Sequence, residues 1–295
     1  MKAALMNPQP LPIPLIPATE LNFYQEAVEA LPICIQHCDC PDHWHTLWAG
    51  LKAIGLLRGV HTQATLFQEA LRPHWVVGGR VLIAGAADSG SLDVLHSLYR
   101  DGTARYTVVD QCEAPLKLIA RRAETQNLRV EGHLADLAAM AVPENWDLVF
   151  IHYTLSFMDA AARARVFRKL KAHLTHRGVI LVALRYLNGP AATSPNAGTT
   201  KWIESTTQLL RQTFADRPQL LAPLLEWLPT YSRSRMERER VMPHADIVRQ
   251  ELEFAGFQIL RTYDGGAPGS PAKPDLPKPG AIVSTIMVVG HAGPD

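Results

Sequence analysis

The chain carries almost no net charge. Its 29 Lys and Arg offset 28 Asp and Glu and leave +1, with 12 His besides. Such a balance gives no general electrostatic attraction to nucleic acid or to an acidic membrane, so neither is expected as a partner. No apolar run approaches the ~18–20 residues of a membrane span. The opening MKAALMNPQPLPIPLIP has one Lys but no long apolar stretch, and prolines interrupt it, so a secretory leader is not expected. Cysteine is scarce: Cys34, Cys38, Cys40 and Cys112, the first three crowded together. That is a poor disulfide framework, and it points to a reducing, cytoplasmic setting. No internal repeat is present. What remains is 47% hydrophobic and 19% charged over 295 residues, enough for one large core or a core with an appendage.

Five prolines in residues 1–18 make an extended arm. Thr19 reads as an N-cap for a helix whose apolar face is Leu21, Tyr24, Val28 and Leu31, with Pro32 ending it. A second helix is expected from Pro41, with Asp42 in its first turn, Trp44, Leu47, Trp48, Leu51 and Ile54 on its face, and Gly55 as its stop. A third covers about 61–72. The pattern then changes to strands. Arg80–Ala84, Arg105–Val109, Leu128–Glu131, Asp147–Ile151 and Val179–Leu184 alternate with helical segments, the last of which runs up to Gly178. Such alternation predicts a parallel sheet covered on both faces.

The alternation stops at 186–242. A polar loop, 188–200, precedes helical segments near 201–214 and 218–228 and an arginine-rich run, 231–240. Interspersed Glu237 and Glu239 make that run a solvated face rather than a phosphate clamp. A helix from Pro243, with Ile247, Val248, Leu252 and Ala255 inward, leads to a strand at 257–261. A Gly- and Pro-rich loop, 264–280, precedes a final strand, 282–289.

In an open parallel sheet, ligands bind beyond the carboxyl ends of the strands. Strand 80–84 runs into Gly85, Ala86, Ala87, Asp88, Ser89 and Gly90, small residues that let a ligand approach the backbone of a helix start. Asp110 ends the next strand, where a carboxylate can accept both hydroxyls of an adenosine ribose.

With those parts in this order, the chain resembles the class I S-adenosylmethionine-dependent methyltransferases over about 75–290. VLIAGAADSG (81–90) stands where that family has its glycine-rich motif, and YTVVDQ (106–111) where it has its ribose-binding acid. VEGHLADL (130–137) resembles the stretch around the adenine and NWDLVFIHYTLSFM (145–158) the fourth motif. FRKLKAHLTHRGVILVALR (167–185) and PHADIVRQELEFAGFQIL (243–260) resemble the later helix–strand segments. The resemblance implies a Rossmann-like doubly wound α/β sheet, mostly parallel with an antiparallel last strand. A proline-rich arm and helical N-terminal extension would occupy 1–75. The Rossmann domain would occupy 76–295, with a helical lid insertion, 186–242, after the fifth strand. It implies S-adenosyl-L-methionine as cofactor, held by Gly85, Ala86, Ala87, Asp88, Gly90, Asp110, Gln111, His133, Leu134 and His152. Departures are Ile83 where the family carries an acid, Ala87 for its second glycine, and His133 near the adenine.

The fourth motif, Ile151-His152-Tyr153-Thr154, lacks the Asn/Asp-Pro-Pro-Tyr signature of enzymes that methylate amino groups of bases or glutamine. The expected activity is therefore methyl transfer to an oxygen or nitrogen of a small molecule in specialised metabolism. His152, Tyr153 and His244 are the candidate catalytic groups, since a hydroxyl or ammonium nucleophile needs its proton removed. Each also has an ordinary reading: His152 as a hydrogen-bonded wall residue, Tyr153 as a packing aromatic, His244 as a helix-start residue. The alternative function is a non-catalytic relative, a binding or partner-activating protein, which a crowded loop 85–90 would favour. A nicotinamide oxidoreductase is disfavoured by the missing G-x-G-x-x-G. The oligomeric state, a homodimer included, is open.

Cys34, His37, Cys38, Cys40, His43 and His45 suggest zinc, but all six lie within a short segment, whereas zinc sites usually join two ligand pairs across a longer loop. On a helix, His43 and His45 would project about 200° apart. The expectation is no metal site, with these residues packing inward as small hydrophobes or lining the substrate cleft.

Overall fold

The computed structural model describes residues 22–57, 59–74, 76–98, 103–140, 145–188, 196–238, 244–264 and 281–291. The arm over 1–18, the Thr19 cap, Pro243 and the loop 265–280 lie outside them.

Helix α1 (Phe23–His37) starts at Asn22, whose side chain accepts the Gln25 N–H. Pro32 does not end it: the helix runs on to His37. A proline costs one backbone hydrogen bond, and burial of Leu31 and Cys34 on either side carries the helix through. Helix α2 (Trp44–Ala53) begins three residues later than Pro41, after a turn that leaves His43 in the left-handed region at φ 49°. Helix α3 (Ala64–Leu71) follows a short 3-10 turn at Val60–Gln63.

The sheet comprises β1 (Arg80–Ala84), β2 (Arg105–Asp110), β3 (Arg129–Leu134), β4 (Trp146–His152), β5 (Leu174–Asn188), β6 (Phe257–Asp264) and β7 (Ala281–His291). Their spatial order is β3-β2-β1-β4-β5-β7-β6. β1 to β5 pair in parallel, and β7 runs antiparallel to both β5 and β6. This is the expected Rossmann-like doubly wound sheet. Helices α4 (Gly90–Leu98), α5 (Glu113–Gln126), α6 (Ala160–His173) and α9 (Asp246–Phe254) cover it. Alternation along each strand sends Val81, Ile83, Val108, Phe150 and Leu181 to the α3–α4–α5 face. Leu82, Ala84, Val149, Ile151 and Val182 go to the α6–α9 face.

β5 is longer than its apolar run. α6 stops at His173, and Leu174 already pairs with Trp146 across an irregular register. Gly178 permits this, because a Cβ there would lie 2.7 Å from the Trp146 carbonyl oxygen. After β5 come α7 (Asn196–Thr213), which begins inside the stretch expected as loop, and α8 (Pro218–Arg238), which extends past 228 into the arginine-rich run. Their apolar faces meet α1 and α2: Leu31, Leu47 and Leu51 pack with Leu210, Phe214, Leu224, Leu228 and Tyr231. The N-terminal extension and the insertion thus form one helical layer with its own core. A separate apolar contact, Cys34 and Cys38 against Cys112, Ala114 and Leu118, fastens α1 to α5.

Candidate active site

The carboxyl ends of β2, β1 and β4 lie side by side in the sheet, and α2 packs on the turn after β1. β1 ends at Gly85, whose φ of +81° suits glycine; a Cβ there would also sit 2.5 Å from Thr154 Oγ1. Thr154 in turn donates to the Ala84 carbonyl at 2.8 Å. Asp110 ends β2 and is partly buried. Its two oxygens accept the N–H groups of Ala86 at 2.9 Å and Cys112 at 2.8 Å. Burial lifts its affinity for a proton, opposed by the charge of His45 and by these amides.

Asp88 is the anchor of the turn. Lys52 Nζ and Trp48 Nε1 donate to its Oδ2 at 2.9 and 3.1 Å, and the Gly90 N–H donates to Oδ1 at 2.8 Å. Burial would raise its pKa, but the Lys52 ammonium and these hydrogen bonds hold the carboxyl well below its ordinary range. Burial likewise opposes charge on Lys52, and Asp88 and Glu26 more than offset it, leaving the ammonium above its usual value. A cavity lined by Phe23, Glu26, Lys52, Ala87, Asp88 and Arg122 lies beside the turn.

At the end of β4, Tyr153 has φ 60°, an uncommon conformation for a bulky residue and one that concentrates at functional sites. Its hydroxyl donates to Gln63 Oε1 at 3.1 Å, and His152 Nε2 lies 3.2 Å from the same oxygen. Gln63 then donates to Ser284 at 3.0 Å. Burial, reinforced by the charge of Arg185, pushes the His152 pKa down to about 3. The imidazole is therefore neutral and poorly matched to proton removal near neutral pH. Burial raises the Tyr153 phenol. Gln63, which joins this polar group from the turn before α3, gave no signal in the sequence.

The other candidates are dispersed. Gln111 is exposed beside Asp110. His133 and Leu134 end the edge strand β3, Leu134 59% exposed and His133 3.1 Å from Glu131. His244 is exposed before α9, and none of its described contacts reaches His152 or Tyr153.

The cysteine segment divides. Cys34 is fully buried, and burial pushes its thiol up. His37 pairs with Glu113 at 2.9 Å, and His43 stacks on Trp227 with ring centroids 3.6 Å apart. Cys38, Cys40 and His45 instead turn together towards Cys112, the residue before α5. His45 Nδ1 lies 3.7 Å from Cys38 Sγ and 3.6 Å from Cys40 Sγ, while its Nε2 lies 3.3 Å from the Ala86 carbonyl. Hydrogen bonding from Cys112 and Cys40 depresses the Cys38 thiol.

A family model described as a methyltransferase domain matches residues 81–178. That segment is thus similar to a methyltransferase domain. Two solved structures share its architecture. One is a S-adenosylmethionine-dependent methyltransferase from Clostridium acetobutylicum ATCC 824, 11% identical, with TM-score 0.52 over 82% of this chain and 96% of that one. The other is the N-methyltransferase NodS from Bradyrhizobium japonicum WM9 in complex with S-adenosyl-L-homocysteine, 12% identical, with TM-score 0.51 over 92% and 100%. At such identities the likeness is one of fold. No curated protein sequence matches the chain.

S-adenosyl-L-methionine is the cofactor of this domain class, and its adenosine half fits the residues present. Each Asp110 oxygen uses one lone pair on a backbone amide and keeps another for a ribose hydroxyl. The turn 85–88 is tighter: α2 lays His45 on the Ala86 carbonyl and Trp48 and Lys52 on Asp88.

Proposed function

We propose that this chain transfers the methyl group of S-adenosyl-L-methionine to an oxygen or nitrogen of a small molecule, in specialised metabolism and in the cytoplasm. The observation that carries the reading is Asp110 at the carboxyl end of β2, inside the matched methyltransferase segment and within hydrogen-bond reach of the Ala86 amide in the β1 turn. The cofactor's sulfonium supplies an electrophilic methyl, and the protein's task is alignment. Asp110 accepts the ribose hydroxyls, Gly85, Ala86 and Ala87 give close approach, and Gln111, His133 and Leu134 border the base. The Gln63–His152–Tyr153 group, neutral and hydrogen-bonded, orients the acceptor. His244 is left as a helix-start residue. The division into an extension, 1–75, and a Rossmann domain, 76–295, with 186–242 as lid is supported by the packing of α7 and α8 on α1 and α2.

A second reading, a non-catalytic binding or partner-activating relative, is favoured by the contacts of His45, Trp48 and Lys52 with the turn. Calorimetric titration with S-adenosylhomocysteine separates the two. Under the first reading the wild type binds, and Asp110→Ala binds roughly 10- to 150-fold more weakly, since a carboxylate hydrogen-bonded to hydroxyls is worth about 1.5–3 kcal/mol. Equal affinities would remove Asp110 from the site, and no binding by the wild type would favour the second reading.

A further inference from the structure

Three thiols and one imidazole converge from two remote parts of the chain. Cys38 and Cys40 lie between α1 and α2, His45 is in the first turn of α2, and Cys112 precedes α5. Their ligand atoms all lie within 4.8 Å of one another. Such a set, soft and nitrogen-containing, suits a tetrahedral ion of zinc type. A zinc ion ~2.3 Å from sulfur and ~2.0–2.1 Å from nitrogen sets a sulfur and a nitrogen about 3.5 Å apart in a tetrahedron. The two sulfur-to-Nδ1 separations here are 3.7 and 3.6 Å. Donors this close surround a single ion rather than a polynuclear cluster.

The surroundings match a ligand role. The Ala86 carbonyl, 3.3 Å from His45 Nε2, accepts that nitrogen's proton and leaves the Nδ1 lone pair for the thiol side, the outer-shell arrangement of metal-bound histidine. Cys38 and Cys112 are buried, and partly exposed Cys40 offers an entry path. The segment 34–45 alone does not close a zinc site. Its missing second element is Cys112, which the fold delivers two residues beyond Asp110.

We propose that Cys38, Cys40, His45 and Cys112 bind one zinc ion, which ties the α1–α2 hairpin to the carboxyl edge of β2. The ion replaces the thiol protons, which leave to solvent, and no redox step is involved. The site closes α2 over the turn whether or not methyl transfer occurs, so its test is independent of cofactor binding.

Metal content of the purified full chain, expressed with zinc in the medium, is the first measurement. About one zinc per chain is expected in the wild type. Cys112→Ser and His45→Asn should lose most of it, and Cys34→Ala should retain it. Because ligand variants can fail to fold, cobalt(II) reconstitution of the wild type supplies a second measurement. Strong visible bands of tetrahedral cobalt with thiolate charge transfer in the near ultraviolet are expected. A wild type without stoichiometric metal, an octahedral cobalt spectrum, or full zinc in Cys112→Ser would each overturn the proposal.

Discussion

His152 shares one acceptor, Gln63 Oε1, with Tyr153, and its imidazole resists protonation until about pH 3. In the unfolded chain a histidine titrates near about 6.5. The folded state therefore binds fewer protons between these values. Its stability is full above the unfolded pKa and declines as pH falls through the window. His152→Phe should remove that component. Urea unfolding should show the advantage of wild type over variant shrinking from about pH 7 to about pH 4. A difference constant with pH would contradict the neutral, partly buried imidazole. The same reasoning shows where residue identity alone misleads: a histidine at a strand end reads as a base, but burial beside Arg185 decides its protonation, and neither is visible locally.

Among the elements, α6 and α9 are joined by a bidentate pair. Arg163 donates to both oxygens of Glu251, at 2.7 and 2.6 Å, and both side chains are largely buried. Removing one partner strands the other. Glu251→Ala should cost about 3–5 kcal/mol, seen as a lower urea midpoint with unchanged slope. An unchanged midpoint would mean that solvent reaches the pair. The strands themselves were legible, because parallel strands buried on both faces are continuous apolar runs and β1, β2 and β4 match theirs closely. The misreadings share one cause, tertiary contact. Pro32 stays helical because Leu31 and Cys34 are buried, and β5 starts early because Leu174 finds Trp146. The places of Asp110 at the end of β2 and of the turn after β1 could be read from order and spacing. Gln63 and the Cys112 contribution could not, since each comes from a segment whose role exists only after folding.

For the molecule as a whole, Lys52 is the charged link between the helical layer and the turn after β1. Its side chain is 6% exposed, and its ammonium is held between Glu26 and Asp88, each at 2.9 Å. Lys52→Met leaves the Asp88 carboxylate buried without its cation, at a cost of about 3–5 kcal/mol. The melting temperature should fall by roughly 6–20 °C, at about 2–4 °C per kcal/mol for a chain of this size. The double variant Lys52→Met/Asp88→Asn should recover part of the loss, because the neutral amide oxygen still accepts from Gly90 or Trp48 while no unpaired charge is left buried. Calorimetric melting of the three proteins checks this. A single variant as stable as wild type would show that the ion pair does not hold the layer in place.

The shared core of α1, α2, α7 and α8 also orders events during synthesis. Leu31, Leu47 and Leu51 are made early, yet their apolar partners Leu210, Phe214, Leu224 and Leu228 come from the far side of the sheet domain. At about 5–20 residues per second, the ribosome takes roughly 8–32 s to travel from Leu51 to Leu210. Throughout that interval the N-terminal hairpin carries an uncovered apolar face. The helices that precede the sheet are thus enclosed late, although Ala86 and Asp88, which contact His45 and Lys52, emerge long before Leu210.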